Sequence, residues 1–167
     1  MTWTRHALTF SYSGNHRYYG NAWQAAKNWT NLGTAIRVTP AAAGRTGDIV
    51  FVDYFKRNGT YAFADLPLEW RRTLHSVPSN PNHPSRIYIN VNQFKMDPLD
   101  DFHRTYVLTH EMGHALGVSH SDTCSQTNSS SVMIQGDTTD DIASRPRNKP
   151  QYYDKVNLQQ LYRLPTG

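Results

Sequence analysis

Leu8, Phe10 and Tyr12 fall on one face of an alternating stretch, Ala7 to Tyr12, which predicts a strand. Tyr18, Ala22, Trp23, Ala26 and Trp29 then recur at helical spacing, so an amphipathic helix is expected from Tyr18 to about Asn31, closed by Gly33, with its tryptophans as core anchors. Ile36 to Thr39 predicts a short strand ended by Pro40, and Ala41 to Gly47 a turn of small residues. Asp48 to Tyr54 is a continuous apolar run suited to a central strand buried on both faces. Asn58-Gly59 is a turn signal, and Thr60 to Ala64 a further short strand. The proline-rich stretch Ser76 to Ser85 reads as a loop. Arg86 to Asn92 alternates again, with Ile87, Ile89 and Val91 opposite Tyr88, Asn90 and Asn92, as in a strand beside solvent or a cleft. Asp97-Pro98, Asp100 and Asp101 carry turn and cap chemistry ahead of a helix from about Asp101 to Leu116. Ser119 to Ser131 and Gly136 to Pro150 are polar and irregular, separated by the apolar island Ser131 to Gly136. Tyr152 to Leu164 predicts a closing helix with Val156, Leu161 and Leu164 inward. No internal repeat interrupts this order.

Composition narrows the picture only a little. The chain has 167 residues, 38% hydrophobic and 18% charged, which suits one domain with its own core and excludes a disordered profile. No apolar run is long enough to cross a membrane. The net charge of +4 reads first as a solvated surface and second as attraction to anionic polymers or cell walls. No basic cluster is interleaved with aromatics, so no nucleic-acid partner is expected. Cys124 is the only cysteine, which excludes an intrachain disulfide and says nothing about compartment. It reads as a small residue in a polar loop rather than a thiolate competing for a metal. No leader peptide is visible, since Met1-Thr2-Trp3 runs straight into strand-like sequence.

The candidate chemistry sits in His110-Glu111-Met112-Gly113-His114-Ala115-Leu116-Gly117-Val118-Ser119-His120. His110 and His114 are four apart, so on a helix their imidazoles share a face one turn apart and can reach one metal ion. Glu111 lies beside them, placed to touch a water at the metal but turned away from the metal itself. Gly117 can take positive φ, stop the helix and turn the chain. His120 then returns as a third ligand, with Asp122 as its rival. Three protein ligands leave one zinc position open for water, the arrangement of a catalytic site. The other histidines, His6, His16, His75, His83 and His103, read as surface or packing residues.

This long motif, with His110, Glu111, His114, Gly117 and His120, resembles that of the metzincin clan of zinc endopeptidases. The clan keeps a methionine in a tight turn beneath the metal, and Ser131-Val132-Met133 stands where that turn belongs. The Gly117–His120 offset matches the clan pattern and favours His120 over Asp122. Gly117-Val118-Ser119-His120-Ser121 and Pro150-Gln151-Tyr152 are similar to matrixin segments, the second to a wall of the S1′ pocket, which implies a substrate contact at Tyr152. The small size and Asn58-Gly59-Thr60-Tyr61 are more similar to snapalysin. Arg86 to Asn92 falls where the clan has its substrate-binding edge strand, which implies contacts from Ile87 and Ile89. There are departures. Snapalysin has an aspartate as third ligand where this chain has His120. The matrixin structural zinc and calcium loop has no counterpart pattern here. Gln135 stands where astacins and serralysins place a ligand tyrosine.

The resemblance implies an α+β fold of zincin type. Residues 1–117 would form an upper subdomain with a mixed twisted sheet and two helices, and 118–167 an irregular lower subdomain ending in a helix, together one catalytic domain. It implies a secreted, monomeric zinc endopeptidase acting on extended protein or peptide substrates, with its leader and any pro-segment absent from this chain. Glu111 would act as general base toward a zinc-activated water, and Met133 as an apolar floor under the imidazoles. Asp137, Asp140 and Asp141 offer carboxylates for calcium, but no recognised loop spacing supports it. The rival is a non-catalytic zinc module that binds extended peptides in the same cleft. Glu111 counts against it, because binding alone needs no general base.

Overall fold

The alternation and helical spacings become nine elements among the residues described by the computed structural model, 6–65, 84–96, 99–120, 131–134, 142 and 147–162. In chain order they are β1 (Ala7–Ser13), α1 (Tyr19–Thr30), β2 (Arg37–Pro40), β3 (Ile49–Tyr54), β4 (Ala62–Asp65), β5 (Ser85–Asn90), α2 (Val91–Met96), α3 (Asp101–Ala115) and α4 (Tyr152–Leu161). The five strands form one mixed sheet in the order β2-β1-β3-β5-β4. β2, β1, β3 and β5 are parallel, and β4 runs antiparallel to β5 with Ala62 opposite Ile89 and Ala64 opposite Ile87. This is the α+β architecture expected, with a mixed sheet and helices. Cys124, Asp122, His75, His83, Gln135, Asp137, Asp140, Asp141, Leu164 and the Asp97-Pro98 turn lie outside the described residues.

Leu8, Phe10, Ile49, Phe51, Ile87 and Ile89 form one buried sheet face, and the core lies between it and the buried sides of α1 and α3. Trp29 closes this core with no exposed surface, its Nε1 donating to the Thr109 carbonyl at 2.8 Å. A polar seam fixes α1 on α3: Asn21 Nδ2 donates to Thr105 Oγ1 at 3.0 Å, and Asn28 Nδ2 to Thr109 Oγ1 at 3.1 Å. Buried amides and hydroxyls that satisfy one another set the register of two helices more sharply than apolar contact does. That register matters here because α3 carries the histidines.

Three expectations are corrected. Trp23 is not a core anchor; it is 41% exposed, with the Lys27 ammonium 4.2 Å from its ring. The buried side of α1 runs through Ala22, Ala25, Ala26 and Trp29, which leaves residue 23 about 100° away from Ala22 around the helix. The strand expected to Asn92 ends at Asn90, and α2 follows it. Asn90 Oδ1 accepts from Gln93 N at 3.3 Å, an N-cap contact that starts a helix where alternation alone continues a strand. Arg86 to Asn92 is also not an edge. β5 is flanked by β3 and β4, and the sheet edge on that side is β4.

Candidate metal centre

α3 starts at Asp100, whose carboxylate accepts from His103 N at 2.8 Å, and runs for 15 residues. Its end is set by Gly117, at φ +95°, where Gly117 N donates to His114 O at 2.8 Å and Val118 N to Gly113 O at 2.9 Å. These two bonds make a Schellman cap, which needs a residue in the left-handed region and so favours glycine. The cap turns the chain back over the last helical turn. Three imidazoles meet as a result, with Nε2 to Nε2 distances of 3.1 Å (His110–His114), 3.0 Å (His114–His120) and 3.2 Å (His110–His120). They are the group among the described residues that could hold a metal ion.

Proton placement shows why these residues suit a cation. His110 Nδ1 lies 2.9 Å from the Val132 carbonyl, and His114 Nδ1 lies 2.9 Å from the Val118 carbonyl. A carbonyl only accepts, so each Nδ1 carries the hydrogen and each Nε2 of the neutral ring presents a lone pair. Burial pushes the His114 imidazole below its ordinary pKa, and neighbouring His120 adds to that, against the bond to Val118. Lone pairs facing each other at this range repel unless a cation lies between them. A triangle with sides of 3.0–3.2 Å has its centre about 1.8 Å from each nitrogen, just inside the ~2.0–2.1 Å of a zinc–imidazole bond, so all three can bind one ion from the same side.

The floor of the site is the segment Ser131–Ile134, and four contacts hold it. Asp154, fully buried on α4, accepts from Ser131 Oγ at 2.6 Å and from Val132 N at 3.0 Å. His110 Nδ1 meets the Val132 carbonyl, and Tyr106 Oη donates to the Ile134 carbonyl at 3.1 Å. Met133 is fully buried, and its sulfur lies so close to Gly113 that a Cβ there would overlap it and come within 2.7 Å of Trp29 Cζ2. Gly113→Ala should therefore lower stability by about 1–3 kcal/mol through overpacking, read as a lower midpoint in thermal denaturation. An unchanged midpoint would show that Met133 can move aside freely.

A cleft of about 390 Å³ opens above the histidines. One wall is Gly59 to Ala64, ending in β4; the other is α3, with Tyr106, Val107 and Glu111; Ile142 contributes from the later chain. Glu111 is 9% exposed. Burial pushes its carboxyl up to about 7, partly offset by a hydrogen bond from the Ala64 backbone. Thus the acid beside the histidines is tied to the edge strand.

The chain is similar to a known metalloprotease. It is 32% identical over 102 residues to Metalloprotease AprA of Pseudomonas entomophila (strain L48), which takes in 60% of this chain. The chain spans 19% of the length of that relative. No protein-family model matches.

The structure brings His110, His114, His120 and Glu111 into one cleft and sets Met133 beneath the helix that carries them. It does not bring Ile87, Ile89 or Tyr152 there. Ile87 and Ile89 have no exposed surface and face the core, since inward positions of an internal strand are covered on every side. Tyr152 is 72% exposed at the start of α4, outside the described lining of the cleft. Sequence reasoning missed Asp154. Gln151 and Asp154 show the spacing of a reciprocal capping box, with Gln151 N donating to Asp154 Oδ2 at 2.7 Å, and that signal was available. It also missed Tyr162, whose hydroxyl donates to the Leu116 carbonyl at 2.9 Å and ties α4 to the end of α3.

Proposed function

We propose that this chain is the catalytic domain of a zinc-dependent endopeptidase of metzincin type, acting on extended protein segments. The observation that carries this reading is the convergence of three imidazole Nε2 atoms and the Glu111 carboxyl in one cleft bordered by a strand edge. Similarity to a metalloprotease supports it. A bound zinc ion would supply Lewis acidity toward a peptide carbonyl and a water molecule.

The residues of the chain do the rest. His110, His114 and His120 hold the ion, and the Val132 and Val118 carbonyls keep the first two rings in the required tautomer and orientation. Glu111 takes a proton from the attacking water on a carboxylate oxygen and returns it to the departing amine. The outer side of β4, the edge strand among the described residues, pairs with the main chain of an extended substrate, in place of the β5 contacts that the resemblance implied. Tyr106, Val107 and Ile142 receive an apolar side chain of the substrate. Secretion and a monomeric state belong to the same reading. No helix of the described residues is long and apolar enough to cross a membrane.

The test is a casein digest with and without chelator. Proteolysis should disappear on chelation and return with added zinc, and the chelated protein should melt at a lower temperature. Digestion that continues undiminished in chelator would sink the proposal.

A further inference from the structure

Away from the cleft, α1, α2 and α3 meet around a depression of about 410 Å³. Arg17, Lys95 and Arg104 line it together with one carboxylate, Asp101. Three cations and one anion leave a local charge of +2, and Asp101 Oδ1 already accepts from Asn21 Nδ2 at 3.1 Å. The Arg104 guanidinium lies over the Tyr18 ring, 5.9 Å from its centroid, and Tyr18 meets Phe94 edge to face at 5.0 Å. The guanidinium is thus held in place, and its Nε is buried without a hydrogen-bond partner. That buried Nε is closed to a ligand, so Arg104 can donate to one only from the part of its guanidinium that lines the depression. α1 begins at the same rim with no side-chain cap at Tyr18 and no acidic residue in its first turn, so no residue of α1 itself offsets its positive end.

We propose that this depression binds a doubly charged tetrahedral oxoanion, a phosphate or sulfate group. Arg104 donates from its fixed guanidinium, and Arg17 and Lys95 close over the anion from the exposed rim. A phosphate group carries about −1.5 to −2 at neutral pH, which matches the local +2; a single carboxylate would leave half of it uncompensated. The depression shares no lining residue with the cleft. Arg104 lies about 9 Å along α3 from His110 and about 240° around it, so an anion bound there leaves the cleft open. On a chain of net charge +4, such a site would anchor the protein to a phosphate- or sulfate-bearing polymer while the cleft stays available to substrate.

The test uses the full chain loaded with one equivalent of zinc, at ionic strength held constant with sodium chloride. Sodium phosphate at ten times its Kd should raise the melting temperature by about 3–5 °C. The double variant R17Q/K95Q changes two exposed positions; it should melt like wild type in chloride and bind phosphate at least tenfold more weakly. Arg104→Gln should remove the phosphate response. A polyphosphate arm separates the sources: a shift with free phosphate shows that the ion suffices, and a shift confined to polyphosphate shows a group carried on a polymer. No shift with either probe overturns the proposal. So does a shift that persists undiminished in both variants, as an anion landing on the metal would give.

Discussion

Glu111→Gln should lower peptide hydrolysis by about 10²–10⁴-fold while the protein still takes up its metal. Glutamine keeps the shape and can still accept from the Ala64 backbone, but it cannot take a proton from water. The same substitution should stabilise the metal-free protein at high pH. The folded carboxyl titrates at about 7 against an ordinary 4.5, so between those values the unfolded chain is ionised while the folded one stays protonated. Raising pH through that window favours unfolding of the wild type by about 3 kcal/mol through this group, a contribution the glutamine variant lacks. Thermal denaturation of both metal-free proteins at pH 4 and pH 8 reads this directly. Midpoints that differ equally at both pH values would refute the burial argument. Wild-type proteolysis by the variant would remove Glu111 from the mechanism.

Asp154→Ala should be the most destabilising of the substitutions considered. It leaves Ser131 Oγ, Val132 N and Gln151 N without their shared acceptor, at a buried position. Each such loss costs about 1–3 kcal/mol, so a total of at least ~3 kcal/mol and a fall in melting temperature of roughly 10 °C are expected. Metal affinity should fall too, because the Val132 peptide that Asp154 grips by its N–H side is followed directly by the carbonyl that orients His110. Competition against a chromophoric chelator measures this, with Ser131→Ala as the partner that removes one of the three bonds to Asp154 together with the one Ser131 Oγ accepts from Met133 N. A variant with wild-type melting and wild-type metal affinity would show that α4 does not position the turn.

Where physical signals are local, they were legible. The alternation of β1, the apolar run of β3, the Asp100 cap of α3 and the glycine stop at Gly117 each depend on residues within one or two turns of one another. The histidine offsets belong to the same class, because a helix and its cap convert sequence distance into spatial distance almost without freedom. Short-range reading failed where two local signals compete. Val91 and Asn92 continue the alternation of β5, yet the Asn90 side chain caps a helix there instead.

The sequence by itself determined which three histidines converge, the acid beside them and the turn that brings His120 back. Only the tertiary structure decided which strand borders the cleft and what supports the metal site from below. Strand order is set by pairing between segments far apart in the chain: β5 is inserted between β3 and β4, which buries Ile87 and Ile89 and makes β4 the last strand on that side among the described residues. The support is equally nonlocal. Asp154 reaches back to Ser131 and Val132, and Val132 to His110, so three segments distant in sequence converge through buried hydrogen bonds. No periodicity in a single segment encodes such a convergence; only the closing of the core around it makes those bonds possible.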